Sequence, residues 1–556
     1  MEALLRFSLA TSHILKRQCI AGAAFGLLSH ILYFVRGYHD TQALGIFAGH
    51  IMMYTALAAP LVAKKGVYAG GLTASAIFAS YLVALFTSIG VYRVFFHRLS
   101  RFPGPLAAKL TKIYGPYTAR NGQMHIEQNK LFEKYGDIIR IGPNELLILS
   151  TDAIPKIHSA KSGCRKRDAG IYNIVTYKGE YNLDSILDRE EHRWRRQVWE
   201  RAMTTKGIHS YENSTRMVCK TFLGKVAALE GRPIDSSLFS LLITFDNMGK
   251  IGFSHQFGTI EAGKENHMLG LLEVTFGQIA QLGELVWPLA FFKSLGVGGD
   301  SAKFDALTRK MADTRREAQT EEIPDIFGHF VADFDSQKPT AFFNKSILYS
   351  DAGLILIGAT DTIAVVLSYA FYYLAKNQSY QDRLYEEVTS AFGNTVPGEF
   401  TNNDLSKIQY LEAVINETLR LENPVCNNGA RLTPLEGIVV NGVWIPGGSA
   451  VRVPGYAMQR SAKAFVQPDE FIPERWTTRP ELILDSAAFF PFITGPNNCV
   501  GKRLAMMVLR LVLAYTVYDF RFEFARGEDG TAIHTKAKNN LILKAGPLNL
   551  VFTKRV

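Results

Sequence analysis

Cysteine is scarce in this 556-residue chain. There are five, Cys19, Cys164, Cys219, Cys426 and Cys499, an odd number with no CxxC spacing. That pattern excludes a disulfide framework and a zinc knuckle, and reduced thiols in a cytosol-facing domain fit it best. Charge is thin as well, at 20% Asp, Glu, Lys and Arg. Lys and Arg outnumber Asp and Glu by 61 to 51, a weak bias toward an acidic partner or an anionic membrane surface, but no basic run has the density of a nucleic-acid tail. Neither an internal repeat nor a low-complexity segment is visible. Apolar residues are what the chain has in abundance, 47% of the total, which excludes disorder and leaves apolar surface for a membrane beyond a sizeable core. At about 150 residues per domain the length suggests about four domains. One large helix-rich enzyme domain with an anchor fits equally.

Three apolar stretches, 19–35, 44–63 and 67–92, precede any globular pattern. A membrane span needs about 20 apolar residues, so the second and third qualify and the first is short. No small-residue cleavage site follows a short apolar core, which places these segments in the mature protein. Basic flanks lie on both sides of any three-span arrangement, so two spans and three stay open, the alternative being that a stretch holding Ser29 and His30, or His50, is interfacial or buried. His97-Arg98-Leu99-Ser100-Arg101 then forms a basic stop, and Pro103-Gly104-Pro105 cannot continue a helix. This segment reads as a hinge between a membrane anchor, 1–100, and a globular domain, 101–556.

The globular part opens with a short hairpin, 138–140 against 146–149, bracketed by turn residues. Helical periodicity follows over 190–203, 237–251, 303–322, 344–376, 381–392, 405–421 and 502–517. Short strands occupy 437–453, with an Asn441-Gly442 hairpin signal, and 539–552. The fold class is mainly α with small β-sheets, an α+β domain.

One segment stands out chemically: Phe490-Pro491-Phe492-Ile493-Thr494-Gly495-Pro496-Asn497-Asn498-Cys499-Val500-Gly501, running into an apolar helix from Lys502. A thiolate ligand to a flat macrocycle needs such an arrangement. Gly495 and Gly501 carry no side chain to keep the backbone from the ring face, Phe492 can shield the sulfur, and a helix start beside Cys499 favours the thiolate. The spacing Phe, two residues, Gly, three residues, Cys, one residue, Gly resembles the haem-binding loop of the cytochrome P-450 family. The family usually places Arg or His two residues before the cysteine; this chain has Asn497.

Further motifs match in the family's order from Phe102 onward. Glu417 and Arg420 stand at i and i+3 of one helix, and Arg475, in Phe471-Ile472-Pro473-Glu474-Arg475-Trp476, resembles the meander residue that joins them in a buried structural network. Gly358-Ala359-Thr360-Asp361-Thr362 resembles the oxygen-binding helix. There Thr362 would hydrogen-bond a distal oxygen and Asp361 would relay protons, although Ala359 and Ile363 depart from the usual residues. His192 and Arg196 resemble the helix positions that face the haem propionates, and Arg431 matches the strand-entry Arg. The remaining arginines of that run, Arg189, Arg193, Arg195 and Arg201, read as solvated or partner-facing.

The resemblance implies a cytochrome P-450-like fold with an N-terminal transmembrane anchor and haem b on Cys499. It further implies a monooxygenase that puts one atom of O2 into an apolar secondary metabolite, closest to fungal membrane-bound members. Electrons would come from NADPH through an NADPH-cytochrome reductase, with cytochrome b5 as a second partner, at an endoplasmic reticulum membrane with the catalytic domain in the cytosol. Segments 171–187, 351–361, 425–428 and 541–545 would line the substrate pocket. Two rivals stay open: a reductase-independent haem-thiolate isomerase or dehydratase, and a non-enzymatic membrane haem sensor or carrier.

Overall fold

The computed structural model describes residues 2–37, 39, 42–167, 172, 176–177, 179–282, 285–294, 299–318, 325–392 and 400–555. Helices Glu2–Ser29 and Ala43–Lys65 both pack on Val67–Val91, giving an N-terminal three-helix bundle. Polar side chains inside it bond to one another: His30 Nδ1 to Ser88 Oγ at 2.7 Å, and the Tyr81 hydroxyl to His50 Nε2 at 3.2 Å. The stretch 19–35 is the continuation of the helix that begins at Glu2 and carries Arg6, Lys16 and Arg17. Ala43–Lys65 and Val67–Phe96 are long and apolar enough to cross a membrane. Lys345–Lys376 also meets that measure, but two thirds of its most apolar window, 67%, is buried in the globular core, so its apolarity serves packing.

The segment after the bundle is a clamp, which corrects the hinge expected there. Leu99 and Phe102 are buried in one cluster with Leu146, Ile148, Val451 and Phe465. The Arg140 amide donates to the Pro103 carbonyl at 2.7 Å. Gly104, at φ +154°, passes so close to the Arg140 carbonyl oxygen that an added Cβ would lie 2.2 Å from it.

Next to this clamp lies a five-stranded sheet in the order Ile138–Gly142, Glu145–Ile148, Ala450–Arg452, Arg431–Leu432, Arg165–Lys166, with one parallel pairing between the second and third strands. Strands Phe520–Phe524, Asn549–Lys554 and Ile234–Asp235 form a second sheet. Three two-stranded hairpins, Thr176–Tyr177 with Glu180–Tyr181, Ile438–Val440 with Val443–Ile445 and Lys538–Asn540 with Ile542–Lys544, complete the strands, and the remaining regular elements are helices. Side-chain caps set several starts: Asp188 accepts from the Glu191 amide ahead of Arg189–Ala202, and Asn344 from the Ile347 amide ahead of Lys345–Lys376. The periodic segments appear as Arg189–Ala202, Ser236–Phe253, Gly299–Glu317, Lys345–Lys376, Gln378–Phe392, Gln409–Leu421 and Lys502–Asp519. Thr205–Ala228, which no periodicity had marked, is a further long helix. Lys345–Lys376 and Lys502–Asp519 pack against each other and lead into opposite walls of the main cavity.

Candidate active site

That cavity holds about 520 Å³. Cys499 lines one wall, and it is the exposed cysteine of the chain, whereas Cys164, Cys219 and Cys426 are buried. Its amide donates to the Phe492 carbonyl at 2.9 Å, closing a loop that Gly501 passes directly to helix Lys502–Asp519. Phe492 lines the same wall, with the Lys502 ammonium 5.6 Å from its ring. Enclosure by protein pushes the Cys499 thiol up, opposed by the Gly501 N–H and by Arg196 and Lys502. The helix start alone therefore does not set the thiolate; a metal cation at the sulfur would deprotonate it outright.

Gly501 lines the cavity, but Gly495 does not. The reason given for Gly495 is corrected accordingly. It has φ +77°, and an added Cβ would stand 1.9 Å from the His158 carbonyl oxygen, so glycine is needed there for the turn and for contact with the 158–159 backbone.

Three cations, Lys166, Arg196 and Arg431, and the imidazole of His192 border the cavity beside this loop. Lys166 and Arg431 are direct cross-strand partners in antiparallel strands, and like charges in that position repel. Both are buried. Burial lowers the Lys166 ammonium to about 8, with Asp184 opposing and Arg431 and Arg196 adding to the fall. His192 is held neutral, down to about 3, by burial and then by Lys166, Arg196 and Arg431. A buried wall of mutually repelling cations fits a ligand with two carboxylates. Together with the cysteine opposite a helix of small residues, it is an observation of this chain that suits haem. Arg196 also ties the wall to the loop, donating to the carbonyls of Pro496 at 3.1 Å and Asn498 at 2.6 Å and to the Asn498 side chain at 2.7 Å. Arg431 donates to the Tyr172 hydroxyl at 3.0 Å. Asn497 lines the cavity as a neutral residue.

Across the cavity lie Gly358, Ala359, Thr362 and Ile363 of the long helix. Thr362 Oγ1 donates to the Gly358 carbonyl at 2.9 Å, the local back-bond of a helical threonine. Asp361 does not join it, and the expected acid and threonine pair at one site is corrected. One residue is about 100° of helix rotation, and Asp361 lines a second cavity of about 270 Å³ together with Glu265, Glu273 and Lys544. Lys544 pairs with Glu273 at 2.9 Å. Burial raises the Asp361 carboxyl to about 6, with Lys544 opposing and Glu273 and Glu265 adding to the rise.

The supporting network is assembled and fully buried. Glu417 Oε1 accepts from Arg420 Nη2 and from Arg475 Nε, each at 2.9 Å, and all three side chains are 0% exposed. Trp476 Nε1 and the Ile472 amide complete the carboxylate at 2.9 Å each. Gln459 links this cluster to the cysteine loop: its carbonyl accepts from Arg420, and its side-chain oxygen accepts from the Phe490 amide at 3.2 Å.

The arginine run divides differently from the expectation. Arg195 is 0% exposed and pairs with Asp351 at 3.3 Å, so it is a core residue rather than a solvated one. Asp351 in turn accepts from Trp199 Nε1 and the Leu183 amide, which joins three segments. Arg189 donates to the carbonyls of Ser162 and Cys164, and Arg201 pairs with Asp333 at 3.2 Å. Arg193, paired with Glu190 on the surface, matches the expectation.

Of the four segments expected to line the pocket, each contributes lining residues, among them Tyr172, Leu354, Asn427 and Leu541; part of 171–187 lies outside the described residues. Lys166 was missed, because its meaning comes from a register with Arg431 far away in the chain. Met203, Met248 and Phe276 were missed too, since an apolar residue on a helix carries no local sign of facing a cavity.

A cysteine-walled cavity over a long small-residue helix, in a mainly helical chain with small sheets, defines a haem-thiolate type of protein. Residues 103–552 match the family model described as Cytochrome P450, so the chain belongs to the cytochrome P450 family. It is similar to the "Cytochrome P450 monooxygenase FCK2" of Fusarium pseudograminearum, 32% identical over 540 residues covering 95% of this chain and 96% of that protein. It is also similar to the "Tryprostatin B 6-hydroxylase" of Aspergillus fumigatus, 31% identical over 95% of each chain, and to the "Cytochrome P450 monooxygenase phqL" of Penicillium fellutanum, 30% identical over 95% of this chain and 94% of that one. The chain is an oxidoreductase of the monooxygenase type, and the family implies a haem-thiolate cofactor.

Proposed function

We propose that this enzyme inserts one oxygen atom from O2 into an apolar secondary metabolite, and that Cys499 would hold haem b through its thiolate. Haem, when bound, supplies oxygen activation. The chain's own residues hold and shield it. Phe492 would cover the sulfur side, Gly501 would leave the loop backbone open toward the ring, Arg196 and Arg431, with Lys166 added from the structure, would neutralise the two propionates, and neutral His192 would donate a hydrogen bond to one of them. The observation that carries the reading is the single exposed cysteine set in a cavity wall beside a buried, repelling cation pair. Thr362 is placed to donate a hydrogen bond into the cavity once its back-bond to Gly358 is exchanged. Asp361 would take protons from the side of the second cavity, acting as a relay behind Thr362 rather than beside it. The distal lining is apolar with a few amides such as Asn427 and Asn539, which suits a lipophilic substrate with one or two polar handles.

Residues 1–100 anchor the enzyme through two helices that cross the bilayer, Ala43–Lys65 and Val67–Phe96, with Glu2–Ser29 packed against them, and residues 101–556 form the haem-thiolate domain. Electrons come from NADPH through an NADPH-cytochrome reductase, with cytochrome b5 as an auxiliary donor. They reach the cysteine side, where Lys502 and Arg503 add positive charge. The membrane is that of the endoplasmic reticulum, with the catalytic domain facing the cytosol. Replacing Cys499 by Ser tests the core of this reading: the strongly red-shifted Soret band of the reduced carbon monoxide complex disappears, while Cys164, Cys219 and Cys426 variants retain it. Retention of the band in Cys499→Ser would refute the assignment of Cys499 as the thiolate ligand. Reductase-driven consumption of NADPH and O2, stimulated by substrate, separates a monooxygenase from a carrier.

A further inference from the structure

The second cavity, of about 270 Å³, lies among helices Ser236–Phe253, His267–Leu282 and Lys345–Lys376 and the strand Ile542–Lys544. Phe276 and Ile542 line both cavities and therefore partition them. Leu241, Leu269, Leu272, Val365 and Leu543 make its interior apolar. Its charge does not balance. Four carboxylates, Asp235, Glu265, Glu273 and Asp361, line it with a single ammonium, Lys544. Asp235 is occupied by the amides of Ser237, Leu238 and Leu548. Lys544 is occupied by Glu273 at 2.9 Å, with Glu265 at 4.0 Å. Asp361 is left over. Among the described residues its carboxyl has neither a hydrogen bond nor an ion pair, although protein encloses it almost completely and the surface it keeps lines the cavity. An enclosed acid without a donor is costly until something that binds supplies one.

The walls decide which kind of cation answers it. A hard metal ion wants a shell of oxygens, and among the described residues no three His, Cys, Asp or Glu side chains are gathered closely enough to hold one. The leucines instead suit a cation with an apolar body. Glu265 and Glu273, whose side chains stay partly exposed, mark the way in and favour the entry of positive charge. We propose that the second cavity is a binding site for a protonated amine carrying a small alkyl group, its ammonium donating to Asp361 and its alkyl part lying among the leucines. The site is distinct from the substrate cavity over Cys499. It does not depend on the relay role given to Asp361, because the test reads binding and not turnover.

The test uses the full-length, haem-loaded enzyme in phosphatidylcholine nanodiscs, reduced and saturated with carbon monoxide so that no amine can reach the iron. Butylammonium and its neutral counterpart butan-1-ol are titrated by calorimetry against empty nanodiscs as the blank. The expected result is one saturable site that prefers the ammonium at least about tenfold, the low end for a hydrogen bond to a charged group. Asp361→Asn removes the preference. Ala545→Leu, which fills the second cavity and leaves its charges in place, removes binding, whereas Leu354→Phe, in the wall of the main cavity alone, leaves it intact. Lys544→Gln takes away the one competing cation and tightens binding severalfold. The red-shifted carbon monoxide band certifies folding of every variant. Equal affinity of the wild type for amine and alcohol overturns the proposal, as does an undiminished preference in Asp361→Asn or weaker binding in Lys544→Gln. Binding that survives Ala545→Leu but is lost in Leu354→Phe places the amine in the main cavity and likewise overturns it.

Discussion

Two buried charge clusters flank the cysteine loop, and they are built on opposite principles. Around Glu417 a carboxylate is saturated by Arg420, Arg475, Trp476 and the Ile472 amide, and the arginines spend their other donors on carbonyls. That cluster is closed. Around the cavity, Lys166 stands opposite Arg431 with neutral His192 nearby, and although Arg196 pairs with Glu200 at 2.7 Å, no carboxylate among the described residues forms an ion pair with Lys166 or Arg431. That cluster is open, and a buried open cluster of one sign is the mark of a ligand of the other sign. A closed cluster stabilises the fold by itself; an open one is completed only by what binds.

The sharpest way to break this contrast is to open the closed cluster. Glu417→Ala strands two fully buried guanidinium groups, and about 3 to 5 kcal/mol of stability should be lost, read by urea unfolding together with haem content. A smaller effect comes from the second cavity, where the acid Asp361 sits among Glu265, Glu273 and Lys544. Its folded pKa of about 6 lies above the value of 3.8 for an unperturbed Asp. The folded state thus holds the proton more tightly, and stability falls as pH rises from about 4 to about 6. Asp361→Asn removes that loss. It should be more stable than wild type by about 2 to 3 kcal/mol above pH 6 and indistinguishable from it below pH 4, by thermal unfolding across pH.

On the open cluster, Arg431→Ala should weaken haem retention by about 1.5 to 3 kcal/mol, the worth of a hydrogen bond to a charged group. Transfer of haem to an acceptor protein measures it, and Arg193→Ala, on the solvated face, should show no change. The smallest effect separates the two principles most cleanly. Lys166→Met should stabilise the haem-free protein by about 0.2 to 1 kcal/mol, by relieving a like-charge cross-strand pair, while loosening haem. Opposite signs in the haem-free and haem-loaded forms are expected from differential unfolding, and equal signs would show that the cluster is structural.

What the sequence disclosed tracks how local the information was. The cysteine loop is contiguous, so Cys499, Phe492 and Gly501 could be read at once. Glu417 and Arg420 lie one helical turn apart, and a compact six-residue motif marks Arg475. Lys166 was invisible because its partner is supplied by strand register between residues 165–166 and 431–432. Arg195 looked like its solvated neighbours, since nothing in an arginine run marks the member whose partner, Asp351, arrives from the long helix. The separation of Asp361 from Thr362 was legible in principle from helix rotation, whereas the second cavity that gives it meaning was not. Helix Thr205–Ala228 escaped detection because its buried stripe is interrupted by Gly207, Glu212 and Thr215.

The clamp at residues 97–104 also decides where this enzyme can be cut. A soluble form begun at residue 100 or 101 discards Leu99, which is 0% exposed in the cluster beneath the five-stranded sheet, and Arg98, which pins the Gly447-Gly448 turn. Emptying a fully buried leucine site costs about 2 to 5 kcal/mol. The proteolytic or engineered boundary that preserves the enzyme therefore lies upstream of His97, inside the last turn of the apolar helix, and a working truncated form must carry exposed apolar residues such as Phe95 and Phe96 with it.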